Sequence, residues 1–126
     1  MWVLFFPLIK NTMGNKIFYH TSNPLFREKI KKEGLKPKVG NSYFLHWAGR
    51  YIDGKEIKSK NDLTPYIFLS KRPYDSTYDD DLWEVDASEI TDIEKDPSGI
   101  VDAYITRSEI PPYCLNLVYE GSGKGL

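Results

Sequence analysis

The segment spanning residues 16–37 constrains the fold more than any other part of the chain. Residues 17–20 are apolar and β-prone, which predicts a strand. Residues 23–33 have the helix-start signals and the apolar spacing of a short helix. Gly34 is typical of the residue that ends a helix, and Pro37 prevents its continuation. The domain is therefore expected to begin with a strand that leads directly into a helix.

The end of this first strand carries three polar side chains, His20, Thr21 and Ser22. Strand ends and the loops after them present functional groups on a rigid scaffold, so an imidazole and two hydroxyls at one edge can hold a polar ligand. The alternative interpretation is that His20 is a structural histidine with its hydrogen bonds satisfied at the strand end. Residues 16–22 by themselves fit either interpretation.

Later segments have the composition of strands, and these are residues 66–70, 82–86, 102–106 and 113–119. Residues 43–47 fit either a strand or the start of a helix, and their periodicity leaves both open. Asp53 and Gly54 are typical turn residues. One early helix and several short strands predict an α+β domain, with a split antiparallel β-sheet and the helix packed on it.

The chain length of 126 residues suits one hydrophobic core, and a single domain is expected over residues 13–126. Residues 1–12 are expected to be an added strand or an N-terminal extension, because Met13 directly precedes the first strand segment. Their apolar run is too short to span a bilayer and lacks the basic region of a signal peptide. The sequence therefore predicts no membrane association, and a single cysteine fits a reducing, cytoplasmic location.

The charge pattern gives little sign of a charged partner. A formal net charge of −1 creates no global field that would favour nucleic acid or acidic membranes. The lysines between residues 29 and 38 could contact phosphates, although such clusters are more often a solvated helix face. Residues 79–81 are three aspartates, expected to form an exposed acidic loop rather than a metal site, because adjacent carboxylates repel and stay solvated.

Common catalytic signatures are absent from the sequence. It contains no P-loop, no nucleophile elbow, no zinc-protease motif and no dinucleotide fingerprint. Cys114 is the single cysteine, which excludes an internal disulfide and a cysteine-based zinc cage. A thiol enzyme pairing Cys114 with His20 or His46 is disfavoured, because the apolar run around the cysteine predicts burial.

The order of these motifs resembles the ADP-ribosyltransferase family, in particular the branch related to diphtheria toxin and the poly(ADP-ribose) polymerases. In that family a strand ends in a His-x-Ser/Thr element that grips NAD, and residues 20–22 resemble that element. A second strand is followed by a loop whose tyrosine stacks on nicotinamide, and residues 66–70 resemble that strand. The partial match covers about residues 16–119.

The resemblance implies that NAD is the substrate, and it also implies which residues would hold NAD. Tyr78 fits the family spacing of the stacking tyrosine better than Tyr74 does, and Tyr78 is therefore assigned with the catalytic group. The residues implied to bind NAD are His20, Thr21, Ser22, Phe68, Ser70 and Tyr74. No metal is expected in such a site.

The chain departs from the family at the position of its catalytic glutamate. Residues 102–113 resemble the family's third element, but the aligned position holds Ala103, with Asp102 beside it. Successive residues of a strand point to opposite faces, so Asp102 would need a local bulge to reach the site. Asp102 is the best-placed catalytic carboxylate by sequence, and Glu84 and Glu109 are the other candidates.

The resemblance implies an NAD-dependent ADP-ribosyltransferase-like protein of bacterial or viral type. It would transfer ADP-ribose to a protein or nucleic-acid acceptor, as a mono-ADP-ribosyltransferase. The alternative is a catalytically inactive module on the same fold, which binds NAD, an ADP-ribose-like ligand or a protein partner. Ala103 favours this alternative, whereas the polar strand end and the downstream tyrosines favour NAD binding.

Overall fold

The computed structural model of the protein describes residues 16–73, 79–97 and 99–123. Within these residues the strands are β1 (Ile17–Ser22), β2 (Tyr51–Ile52), β3 (Lys55–Glu56), β4 (Ile67–Ser70), β5 (Asp81–Asp86), β6 (Glu94–Lys95), β7 (Ala103–Thr106) and β8 (Leu115–Tyr119). The α-helices are α1 (Arg27–Glu33) and α2 (Asn41–Trp47), and short 3-10 helices span Pro24–Phe26, Lys60–Asp62 and Pro112–Cys114.

The described strands form a six-stranded sheet in the order β6-β7-β4-β1-β5-β8, and β2 and β3 form a separate hairpin. Every neighbouring pair in the larger sheet is antiparallel. The prediction of an α+β domain built on an antiparallel sheet is confirmed. The predicted early helix is also present, although its first turn, Pro24–Phe26, is a 3-10 helix ahead of α1.

The structure decides several other elements. Residues 43–47, which fitted either a strand or a helix, lie in α2. Asp53 and Gly54 form the turn of the β2–β3 hairpin with φ values of 51° and 79°, as expected for an Asp-Gly hairpin turn. The last predicted strand begins two residues late, at Leu115, because Pro112 initiates a 3-10 helix ahead of it.

Strand β1 lies between β4 and β5 at the centre of the sheet, and its pairing with these two neighbours is unequal. Strands β1 and β5 are paired along the whole length of β1, from Ile17 opposite Asp86 to Ser22 opposite Asp81. In the described residues β1 and β4 are paired at one position, Tyr19 opposite Ser70. The sheet is therefore joined at its middle by a short contact, and the two strands are free to diverge on either side of it.

One face of the sheet carries the main hydrophobic core. Residues directly opposite each other in an antiparallel ladder share a face, so Phe18 lies with Val85 and His20 lies with Trp83 on the core face. Helix α1 packs Ile30 into this core. The core cluster comprises Phe18, Ile30, Leu35, Ile67, Leu69, Trp83, Val85, Ala87, Ile90, Ile110 and Cys114. The predicted burial of the cysteine is thereby confirmed.

Asp81 corrects the expectation of an exposed acidic loop over residues 79–81. Asp81 is the first residue of β5, and its side chain is 0% exposed. Arg27 donates from Nε to one carboxylate oxygen at 2.9 Å and from Nη2 to the other at 2.7 Å, and the backbone N–H of Gly121 donates at 2.8 Å. The guanidinium of Arg27 lowers the pKa of Asp81. The aspartate is buried because it ties α1 and the chain after β8 to the sheet.

None of the helices in the described ranges combines the length and the apolar character needed to cross a membrane.

Candidate functional site

A cavity of about 310 Å³ opens where β1 and β4 meet, and we call it the central cavity. Its lining residues are Tyr19, His20, Thr21, Phe68, Leu69, Ser70, Arg72 and Leu82. Four residues assigned to ligand binding from the sequence therefore lie together: His20, Thr21, Phe68 and Ser70. The two strand ends on which they stand are more than forty residues apart in sequence, and the β1–β4 junction brings them together.

The imidazole of His20 is held in one orientation. Its Nδ1 lies 2.7 Å from the backbone carbonyl oxygen of Phe68, and because a carbonyl can only accept, Nδ1 carries the proton and donates. Burial lowers the pKa of His20, an effect that the Phe68 carbonyl opposes and the positive charge of Lys38 reinforces. The neutral ring then leaves Nε2 as a hydrogen-bond acceptor. His20 would therefore accept a hydrogen bond from a ligand hydroxyl in this form, rather than donate one.

The neutral form of His20 predicts a pH dependence of stability. The unfolded chain takes up a proton on His20 near pH 6.5, whereas the folded protein does so at lower pH. The unfolded state therefore binds more protons once the pH falls below about 6.5, and the free energy of unfolding should decrease as the solution is acidified. Urea unfolding of wild type and of His20→Gln between pH 5 and 7.5 measures the contribution of His20. The free energy of unfolding should decrease less on acidification in the variant than in the wild type.

The chain's other histidine provides the control for that experiment. His46→Gln retains His20, so its unfolding free energy should follow the wild-type pH dependence. Equal acid sensitivity in His20→Gln and wild type would show that His20 is not held neutral by the fold.

Ser22 lies near His20 but has a structural partner. Its hydroxyl oxygen accepts a hydrogen bond from the indole N–H of Trp83 at 2.9 Å, and the Trp83 ring is buried. Ser22 is not one of the described residues that line the central cavity. The serine thus anchors a core tryptophan at the strand end, and its contact with a ligand stays a prediction.

Ser70 shapes the turn that follows β4. Its hydroxyl donates to the backbone carbonyl of Arg72 at 2.9 Å and accepts from the backbone N–H of the same residue at 3.1 Å. This pair of bonds folds the chain back directly after the strand. Ser70 therefore helps to position Arg72 on the cavity wall.

Arg72 is a cavity residue that the sequence argument missed. Its side chain is 71% exposed, and its Nε lies 2.9 Å from Oδ2 of Asp102. The sequence signal for Arg72 was its position two residues after the end of β4, because the turn after a strand often carries ligand-binding groups. Arg72 gives the central cavity a positive charge at its rim.

Asp102 lies beside the central cavity, in a turn rather than at the expected bulge. It lies outside β7, in the turn before Ala103, with a φ of 63°, a left-handed conformation that aspartate tolerates better than most residues. Its backbone carbonyl accepts from the N–H of Lys71 at 3.0 Å. Its carboxylate contacts Arg72, which lines the cavity, but Asp102 is not itself a lining residue.

The other carboxylate candidates differ in their proximity to the cavity. Glu84 stands opposite Tyr19 in the β1–β5 ladder and so shares its face, and Tyr19 lines the cavity. Glu109 is exposed and precedes Ile110, which is bridged to Leu35 at the end of α1. Glu84 is therefore the closer alternative to Asp102.

The two tyrosines assigned to nicotinamide cannot be placed relative to this cavity. Tyr74 and Tyr78 lie outside the described residues, and their roles stay predictions. Among the described residues, no three His, Cys, Asp or Glu side chains are grouped in a way that could hold a metal ion.

The fold and the cavity define an α+β domain with a cavity at the centre of an antiparallel sheet. Comparison of the chain with models of protein families, with curated proteins and with solved structures finds no match. Function is therefore inferred from the residues of the site and their geometry.

Proposed function

We propose that the protein is an NAD-dependent ADP-ribosyltransferase-like protein whose central cavity binds the nicotinamide riboside half of NAD. The observation that carries this proposal is the fixed imidazole of His20. Its Nδ1–H is committed to the Phe68 carbonyl, so Nε2 is an acceptor beside a cavity that also contains a cation. A ribose hydroxyl is a matching donor.

The charges at the cavity rim also suit a dinucleotide. A diphosphate requires a cation, and the exposed guanidinium of Arg72 is available to a ligand that displaces Asp102 or shares the arginine with it. A cavity of about 310 Å³ lies at the lower end of the range of about 300–1,000 Å³ for small-molecule sites. The central cavity therefore suits about half of NAD, and the adenosine half would extend over the adjoining surface.

The proposed chemistry is cleavage of the glycosidic bond between ribose and nicotinamide. The ring nitrogen takes the bonding electron pair, so nicotinamide leaves as a neutral molecule and the ribose carbon becomes cationic. A carboxylate near this carbon stabilises the developing charge, and Asp102 is the proposed group. A nucleophile of a protein or nucleic-acid acceptor then bonds to the ribose carbon and loses its proton to solvent.

The alternative is a binding module that holds NAD without turnover. Two observations favour it: Ala103 has no carboxylate, and the Asp102 side chain is already paired with Arg72. A carboxylate held by an arginine gives less stabilisation to a developing cation than a free one, because its charge is partly compensated.

Titration with NAD separates these proposals. Isothermal calorimetry should detect NAD binding, and chromatography of the same mixture should detect free nicotinamide if the protein is a transferase or hydrolase. His20→Ala should weaken binding by up to about tenfold, the effect of losing one ligand hydrogen bond. His46→Ala is the matched control and should bind NAD as the wild type does.

The outcomes distinguish the alternatives. Binding with nicotinamide release supports the enzyme, and binding without release supports the module. No binding at millimolar NAD, or equal affinity in wild type and His20→Ala, would remove NAD from this cavity.

A further inference from the structure

A second cavity of about 420 Å³ lies next to the central cavity, and we call it the ring-lined cavity. Phe68 lines both cavities and separates them. Ile105 stands opposite Phe68 in the β4–β7 ladder, is 1% exposed, and lies in the wall of the ring-lined cavity. The second cavity therefore sits on the face of the sheet opposite the main core.

Four aromatic side chains, Tyr43, Trp47, Tyr66 and Phe68, are among the residues that line it. Tyr43 and Trp47 are four residues apart on helix α2 and face the same way. The ring of Tyr43 meets Phe68 edge to face, with centroids 5.0 Å apart, and lies 6.1 Å from the ring of Tyr66. The Tyr43 hydroxyl donates to the backbone carbonyl of Thr64 at 3.1 Å. The rings of Tyr43, Tyr66 and Phe68 thus support one another before any ligand binds.

The polar lining residues of this cavity include two acidic side chains. Asp62 and Asp96 are both lining residues. Oδ2 of Asp62 accepts from the backbone N–H groups of Lys58 and Ser59 at 2.8 and 3.0 Å, and these bonds lower the pKa of the carboxyl. Nζ of Lys55 lies 3.8 Å from Oδ1 of Asp62 and compensates part of its charge. The remaining lone pairs of the two carboxylates can accept from a ligand with N–H donors, whereas a phosphate has none to offer.

We propose that the ring-lined cavity binds a planar aromatic heterocycle that carries N–H donors and no phosphate, the chemical class of a free nucleobase. The aromatic side chains in the lining favour a flat ring over an aliphatic ligand of the same volume. The acidic side chains favour exocyclic amino groups and ring N–H groups. This site is separate from the proposed NAD site. Helix α2 contributes to the lining of the ring-lined cavity only, and Phe68 stands between the two cavities.

Adenine is the probe for a direct test. Saturation-transfer NMR and calorimetry with the purified chain should detect adenine binding, and AMP should bind more weakly because of its phosphate. Trp47→Ala should weaken adenine binding about tenfold or more, the effect of losing one base-stacking ring. Leu45→Ala is the matched control, because Leu45 is on the same helix and 72% exposed, and it should bind adenine as the wild type does.

A second variant guards against a folding defect in Trp47→Ala. Ser42 is an exposed lining residue, so Ser42→Trp should fold and place an indole in the cavity, which should block adenine. Adenine binding that is unchanged in both variants, or no binding by the wild type at millimolar adenine, would overturn the proposal.

A third variant separates this site from the NAD site. His20→Ala should bind adenine normally whether or not NAD binds to the central cavity. Loss of adenine binding in His20→Ala would mean that the two cavities form one extended site, which would also overturn the proposal.

Discussion

Gly34→Ala is expected to destabilise the protein by about 3 kcal/mol or more. Gly34 has φ 79° and ψ −164°, a backbone region open almost only to glycine, where other residues pay about 1–3 kcal/mol. A Cβ at this position would also overlap the carbonyl oxygen of Ile110. That oxygen accepts from the N–H of Leu35 at 2.9 Å, so moving it would break the bridge that fastens the end of α1.

Urea unfolding followed by circular dichroism measures this loss. The matched control is Gly40→Ala, because Gly40 has φ −79° and a Cβ there would meet nothing within 4 Å. Its free energy of unfolding should stay within about 1 kcal/mol of the wild type. Folded domains are stable by about 5–15 kcal/mol, so the Gly34 variant should lose a large share of its stability. Similar midpoints for the two variants would contradict the conformational argument.

Asp102→Asn is expected to lower nicotinamide release about 10²–10³-fold if the protein is a transferase. Removal of one preorganised group that stabilises charge in the transition state typically lowers the rate by this factor. Asparagine keeps the size of the side chain and tolerates the left-handed φ of 63°, so the fold and the melting temperature should be nearly unchanged. NAD affinity should change little, because the carboxylate is proposed to act on the developing cation.

Single-turnover release of nicotinamide, measured beside a thermal melt, tests that prediction. Glu84→Gln is the matched carboxylate control, since Glu84 shares a face with the cavity residue Tyr19. Full activity in Asp102→Asn with loss of activity in Glu84→Gln would transfer the catalytic role to Glu84. A wild type that never releases nicotinamide would leave the binding module as the surviving proposal.

The sequence by itself determined the elements whose causes are local. The run before His20 has β propensity, and Gly34 has the freedom that the end of α1 requires, so the strand and the helix end were predictable. Asp53 and Gly54 predicted a turn in the same way. The spacing of strand segments was enough to predict an antiparallel α+β domain, because each signal lies within a few neighbouring residues.

Part of the candidate site was also predictable from strand ends. His20, Thr21, Phe68 and Ser70 were assigned to one site from sequence, and they line one cavity. Strands β1 and β4 are neighbours in the sheet, and this pairing is what brings their ends together. The assignment of Phe68 and Ser70 came from the resemblance, and local patterns could not show this pairing.

Only the tertiary structure decided the state of individual polar groups. Asp81 was expected to be exposed because its sequence neighbours are aspartates, but its partner Arg27 lies 54 residues earlier in the chain. The proton of His20 sits on Nδ1 because of a carbonyl on another strand, and Arg72 enters the cavity because Ser70 turns the chain. Burial, protonation and charge pairing depend on atoms that are distant in sequence, so a local pattern cannot contain them.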